Sequence, residues 1–193
     1  MGQYYLPIIR RTTTKGRTRN ESLYSHDFDN GLKLMEHSWV GNNLVNIICN
    51  DIIDRPARII WLGDYTETRD APEGFPKKKF RTLMNCWRRK SSTKRFIKKG
   101  NQEFDWSKHW FLVNNTKKCY VDMRCYINKN RFGIDGEDWR IHPLPLLTCS
   151  SNGKGGGDYR GVNMEDVGSW CNDEIYLSLT KPEGYSEEVY YFF

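Results

Sequence analysis

The densest group of side chains that could do chemistry is a run of lysines and arginines at residues 77–99, called here the basic segment. It holds eleven Lys or Arg residues and no acidic residue. Cations at this density repel one another, and a polyanion relieves that repulsion as its counterions are released. The segment therefore predicts a surface for phosphate groups or for a partner. Its candidate binding residues are Lys77, Lys78, Lys79, Arg81, Trp87, Arg88, Arg89, Lys90, Lys94, Arg95, Lys98 and Lys99.

The alternative for the basic segment is a solvated insertion that the rest of the chain partly neutralises. The whole chain has 30 basic and 24 acidic residues and a formal charge of +6. Outside the segment, 19 basic residues face 24 acidic ones, so a mildly acidic body carries a strongly basic element. No helix-turn-helix, zinc-finger or RNA-binding consensus accompanies it, so base-specific recognition is not predicted.

A second candidate is the glycine-rich run NGKGGGDYRG at residues 152–161. Successive backbone N–H groups in such a loop can surround a phosphate. The run lacks the G-x-x-x-x-G-K-[ST] pattern, so a hairpin connection is the alternative. The residues of this possible phosphate or nucleotide loop are Asn152, Gly153, Lys154, Gly155, Gly156, Gly157 and Asp158.

A third candidate is a polar cluster of His26, Asp27 and Asp64. Histidine and carboxylates can carry out acid–base chemistry or hold a metal. The run that begins at Asp27 does not complete a calcium loop, because loop position 12 is Ser38. A turn stabilised by its own Asp and Asn side chains is the alternative. We assign no catalytic residue and expect no metal or cofactor.

Cysteine usage and hydropathy predict a cytoplasmic protein. The six cysteines show no C-x-x-C spacing, which favours scattered thiols in a reducing compartment over a disulfide framework. No stretch approaches the ~18 apolar residues that a membrane span needs, and the N-terminus has no secretory signal pattern. We therefore expect no membrane partner, and the oligomeric state is left open.

Hydrophobic periodicity predicts an α+β fold with a mainly antiparallel sheet of about seven strands and two or three helices. We expect one domain over residues 1–193, in which 66–108 is a charge-rich insertion. A helix is predicted at 41–53, and the basic segment is predicted to form a helix or a helical hairpin, with a break at 91–93. Strands are predicted at 3–9, 32–37, 58–62, both arms of a hairpin over 110–123, from 143–148, near 174–179 and at 189–193.

Several strings together resemble a family of small uncharacterised proteins of bacteria and their phages. They are MGQYYLP at the start, then GLKLME, GDY, NGKGGGDY and GSWCND, and they leave residues 66–105 uncovered. The resemblance carries no assigned activity and no catalytic residue. It implies a cytoplasmic phage or mobile-element protein, and small proteins of that setting often bind and block a host factor.

Three functions follow as expectations, and the third is a purely structural or interaction domain with an oligomer interface. The first is an accessory binding protein that engages a host protein, a nucleic acid or a ribonucleoprotein through the basic segment. The second is a nucleotide-binding or nucleotide-processing protein that uses the glycine-rich loop and the polar cluster. The second requires those distant segments to converge on one concave site.

Overall fold

The computed structural model describes residues 3–99, 103–129, 131–134, 137–150 and 165–192, with the side chains of residues 99, 129 and 131–139 excluded. Its strands are β1 (Tyr5–Thr12), β2 (Thr18–Ser22), β3 (Ala57–Gly63), β4 (Phe111–Asn114), β5 (Cys119–Asp122), β6 (Arg131–Ile134), β7 (Glu137–Arg140), β8 (Glu174–Ser178) and β9 (Ser186–Glu187). Its helices are α1 (Leu34–His37), α2 (Asn43–Ile52), α3 (Lys77–Met84), α4 (Cys86–Arg89), α5 (Lys94–Lys99), α6 (Met123–Lys129) and α7 (Pro143–Thr148). Two 3-10 turns lie at Ser25–Phe28 and Thr68–Asp70.

Seven of the strands form one sheet in the order β2–β1–β3–β8–β4–β5–β9, and β6 and β7 form a separate hairpin. All neighbours in the large sheet are antiparallel except β5 and β9. The predicted α+β class with a mainly antiparallel sheet is confirmed. The described ranges hold seven helices rather than two or three, because five of them are only four to seven residues long and give no clear periodic signal.

The two faces of the sheet are covered by different helices. Successive residues of a strand point to opposite faces of the sheet, so Ile8 and Ile9 of β1 lie in two different cores. Ile9 packs in the larger core with the apolar side of α2. Ile8 packs in a second core with Phe80 and Leu83 of α3. We call these the α2 face and the α3 face.

Three strand predictions are wrong. Residues 32–37 contain α1, because Glu36 turns back and accepts the Lys33 backbone N–H at 2.8 Å. Residues 143–148 form α7, which starts where the His142 ring accepts the Leu144 backbone N–H at 3.1 Å. The last strand is β9, and the described residues 188–192 contain no strand.

The helix expected at 41–53 is confirmed as α2. Asn42 caps it by accepting the Leu44 N–H at 3.0 Å, as its residue type favours. The strands expected at 58–62 and 174–179 and the hairpin over 110–123 are confirmed as β3, β8 and β4–β5. The first strand extends beyond 9 to Thr12, and the following residues return as β2.

Candidate functional site

The first half of the basic segment is held against the α3 face by an apolar stripe. Phe80 and Leu83 are fully buried there, and Met84 and Trp87 pack at the margin. Their spacing places them on one side of a helix. The Trp87 indole N–H also donates to the Leu62 carbonyl at 3.2 Å. Trp87, a predicted binding residue, is therefore an anchor of the segment.

The middle of the basic segment passes around the edge of the sheet, where β2 is the outermost strand. The Thr93 N–H donates to the Ser22 carbonyl at 2.9 Å. The Tyr24 N–H donates to the Ser92 hydroxyl at 2.8 Å. Beyond this crossing, Phe96 of α5 is completely buried in the core of the α2 face. The expected break at 91–93 is confirmed, but the helices that it joins lie on opposite faces of the sheet, so the segment is not a helical hairpin.

Arg95 lies in an internal ion-pair network rather than on the open surface. Its Nε and Nη2 donate to the Glu21 carboxylate at 2.5 and 2.6 Å, and its Nη1 donates to Asp51 at 2.7 Å. Burial opposes its charge, but the hydrogen bonds to Asp51 and Glu21 outweigh that effect and raise the pKa of Arg95. Arg11 donates to the other Asp51 oxygen at 2.7 Å. Arg95 is thus a structural tie.

Nine other cations of the basic segment are exposed, and none of them forms an ion pair with a carboxylate among the described side chains. They form two groups, because α3 and α5 lie on opposite faces. The side chain of Lys99, at the end of α5, lies outside the described set. The first group is Lys77, Lys78, Lys79, Arg81, Arg88, Arg89 and Lys90, and the second is Lys94 and Lys98.

The polar cluster does not form a joint site among the hydrogen bonds that the structure describes. His26 bonds through Nδ1 to the Asn30 carbonyl at 3.0 Å. Asp27 accepts the Ser92 N–H at 2.8 Å, so it supports the crossing of the basic segment. Asp64 accepts the Tyr4 N–H at 3.1 Å. Each side chain is thus hydrogen-bonded to a backbone group in a different loop or strand end.

Asn152, Gly153, Lys154, Gly155, Gly156, Gly157 and Asp158, the predicted phosphate or nucleotide loop, lie outside the described residues. Within the described ranges, no group of three or more His, Cys, Asp or Glu residues is placed to hold a metal ion.

A buried cysteine–histidine pair joins α2 to the start of α7. The Cys49 sulfur lies 3.6 Å from His142 Nε2. Burial lowers the pKa of His142 to about 3 and raises the pKa of Cys49 well above its usual value. Both groups are therefore neutral at pH 7, and neither the thiolate nor a ready base that nucleophilic catalysis needs is available.

Sequence reasoning missed two arginines, Arg10 of β1 and Arg58 of β3. The strands place them directly opposite each other on the α3 face. Burial, followed by the nearby charge of Arg58, lowers the pKa of Arg10 to about 10. Neither residue stands out in the sequence, because their proximity depends on a strand register that connects positions almost fifty residues apart.

Comparison with protein-family models, with curated proteins and with solved structures finds no match for this chain. In the part of the chain that the structure describes, no helix is long and apolar enough to cross a membrane.

Proposed function

We propose that this chain binds a nucleic acid, alone or within a ribonucleoprotein, through the seven exposed cations of α3, α4 and the turn that follows. The observation that carries the proposal is that these cations are held in place on the fold and that no described carboxylate forms an ion pair with them. The apolar stripe holds α3 on the sheet, and no described carboxylate pairs with the outward cations. A phosphate backbone supplies the missing charge and releases its counterions on binding.

Three acidic side chains that contact the basic segment bond to its second half or to its crossing around β2. Glu21 and Asp51 bond to Arg95 on the α2 face. Asp27 bonds to the backbone at the crossing around β2. The acidic body therefore anchors the basic segment at one end and leaves the α3 group unpaired. This arrangement supports a binding surface over a neutralised insertion.

We further propose the setting that the resemblance implies, which is an accessory protein of a phage or mobile element that acts on a host nucleic acid or ribonucleoprotein. Backbone contacts position a protein on a nucleic acid but carry no sequence information. Binding through these cations is therefore expected to tolerate many sequences.

Equilibrium binding to a labelled duplex tests the proposal. We expect the triple variant Arg88→Gln, Arg89→Gln and Lys90→Gln to lose at least ~10-fold in affinity at low salt. The matched control removes the same charge from exposed positions elsewhere, through Lys15→Gln, Lys108→Gln and Arg124→Gln, and should stay within about threefold of the unmodified protein. Equal losses in both triple variants would show an effect of net charge and not of this surface.

A further inference from the structure

A cleft of about 410 Å³ opens on the α3 face, beside the start of α3. Its volume falls in the ~300–1,000 Å³ range of small-molecule sites in proteins. Lys79 of the basic segment lines the cleft, and the other cations that line it belong to strands of the sheet. Side chains that line it include Arg10, Thr12, Arg58, Glu73, Phe75 and Lys79.

The cleft concentrates positive charge on the sheet surface. Arg10 and Arg58 are direct partners across β1 and β3, and like charges placed opposite each other destabilise a sheet. Arg10 lies over the Phe75 ring, with its guanidinium carbon 4.3 Å from the ring centre. This stacking fixes the guanidinium at the cleft.

No ion pair joins Arg10 or Arg58 to a carboxylate among the described side chains, although Glu73 and Glu174 also line the cleft. Arg58 donates to the Asn172 carbonyl at 2.9 Å, a neutral partner. Glu174 lies opposite Arg58 in β8, but its carboxylate accepts the Asn115 amide at 2.6 Å, and no ion pair joins it to Arg58 among the described contacts.

The bonds of Arg10 are also to neutral groups, namely the side-chain oxygens of Asn20 and Asn172. The amides of these two asparagines orient Arg10 without cancelling its charge. Two guanidiniums held in place with neutral partners form a receptor for an anion.

We propose that this cleft binds a nucleotide and that Arg10 and Arg58 hold its phosphate. Guanidinium groups match phosphate oxygens with paired, charge-assisted hydrogen bonds. The cleft is larger than a phosphate, and Thr12 and Glu73 supply a hydroxyl and a carboxylate that can bond to sugar hydroxyls or base amino groups. The ligand is a nucleoside monophosphate, either free or at the phosphorylated end of a strand.

Calorimetric titration with AMP tests the proposal. Arg58→Gln is the most informative variant, because Arg58 is exposed and its loss relieves repulsion instead of opening the core. We expect it to weaken AMP binding by ~10-fold or more while the Tm without ligand stays the same or rises. Arg124→Gln, an exposed change of equal charge outside the cleft, should bind AMP as the unmodified protein does.

Three outcomes would overturn the proposal. They are no AMP binding at millimolar concentration, equal AMP binding by Arg58→Gln, and binding of inorganic phosphate as tight as that of AMP. Oligonucleotides with a 5′-phosphate or a 5′-hydroxyl distinguish a free nucleotide from the phosphorylated end of a strand as the ligand. A preference for the 5′-phosphate supports a strand end, and AMP binding without that preference supports a free nucleotide.

The proposal for the cleft and the proposal for the nucleic-acid surface can be tested separately. Arg58→Gln should retain salt-dependent binding to a 5′-hydroxyl strand, because it leaves the exposed cations of α3 and α4 in place. The double variant Lys77→Gln and Lys78→Gln should retain AMP binding, because neither lysine lines the cleft.

Discussion

Arg95 and Asp51 are joined by two hydrogen bonds, from Nη1 to Oδ1 at 2.7 Å and from Nη2 to Oδ2 at 3.0 Å. This pairing ties α5 to α2 across 44 positions of the chain. The eleven cations of the basic segment repel one another, and this pairing helps to hold the segment on the rest of the protein. Two acidic side chains of the body bind Arg95, and buried apolar side chains on both faces of the sheet hold the remainder of the segment in place.

Removing that tie should destabilise the protein. In Arg95→Gln, Glu21 keeps only the exposed Arg19 and Asp51 keeps Arg11. The hydrogen bonds that Arg95 makes to both are lost, so we expect a loss of about 2 kcal/mol in the free energy of unfolding. Urea denaturation gives the value. The neighbouring exposed change Lys94→Gln should stay within about 0.5 kcal/mol. A similar effect of both substitutions would contradict the structural role of Arg95.

Adjacent residues of α5 offer a test of how firmly the basic segment is packed. Phe96 is completely buried and Ile97 is 51% exposed. Phe96→Ala should cost about 3–5 kcal/mol because it leaves a cavity in the core, and Ile97→Ala should cost less than about 1 kcal/mol. Chemical denaturation of the two variants compares them directly. A segment that is merely solvated would show small effects for both.

Two buried histidines should make stability fall as the pH drops below about 6.5. The His37 Nε2 atom accepts the Trp61 indole N–H at 2.9 Å, while Nδ1 donates to the Gly31 carbonyl at 3.1 Å, so the ring has no place for a second proton. Burial lowers the pKa of His37 to about 4 and that of His142 to about 3, from an ordinary value of 6.5.

Between about pH 6 and pH 4.5 the unfolded chain takes up protons that the folded chain refuses, so each histidine should lower the free energy of unfolding by about 1.4 kcal/mol per pH unit. His142→Asn keeps an oxygen that can cap α7 and should remove about half of the slope that the two histidines contribute. Denaturation series at several pH values measure it. An unchanged slope in His142→Asn would count against a neutral buried His142.

Thiol labelling should separate the cysteines by depth. Cys125 is exposed, whereas Cys49 and Cys149 are buried. Burial raises the pKa of Cys149 to about 12, so both its thiolate fraction and its access are low. Mass spectrometry after brief alkylation at about pH 8 should find Cys125 modified first and Cys149 unmodified until the protein unfolds. Early modification of Cys149 would contradict its placement.

Local signals predicted much of the fold. The β4–β5 hairpin was predictable because two apolar runs flank one polar turn, and α2 was predictable because ten residues carry a helical period and an Asn cap. The four residues of α1 are too few for a period, and the Glu36 side chain bonded to the Lys33 N–H decides between helix and strand. That bond packs Glu36 so closely against Gly31 that a side chain there would clash with it.

The candidate site was predictable in composition but not in arrangement. The charge of the basic segment and the stripe of Leu83, Met84 and Trp87 are properties of neighbouring residues. The passage around β2, the pairing of Arg95 with Asp51 and the meeting of Arg10 with Arg58 depend on contacts between distant parts of the chain. Sequence alone could therefore not divide the cations into exposed and structural ones.

The most direct test of the proposed function compares two charge-matched double variants on opposite faces of the sheet. Lys77→Gln with Lys78→Gln alters α3, and Lys94→Gln with Lys98→Gln alters α5. The measurement is the slope of the logarithm of the duplex binding constant against the logarithm of salt concentration. This slope is negative, and each lost phosphate contact reduces its magnitude by about 0.9.

If the α3 surface contacts the duplex, the Lys77/Lys78 variant should reduce the magnitude of the slope by about 1–2 and the Lys94/Lys98 variant should leave it unchanged. Equal slopes in both variants and the unmodified protein, or binding that does not depend on salt, would contradict the proposed function.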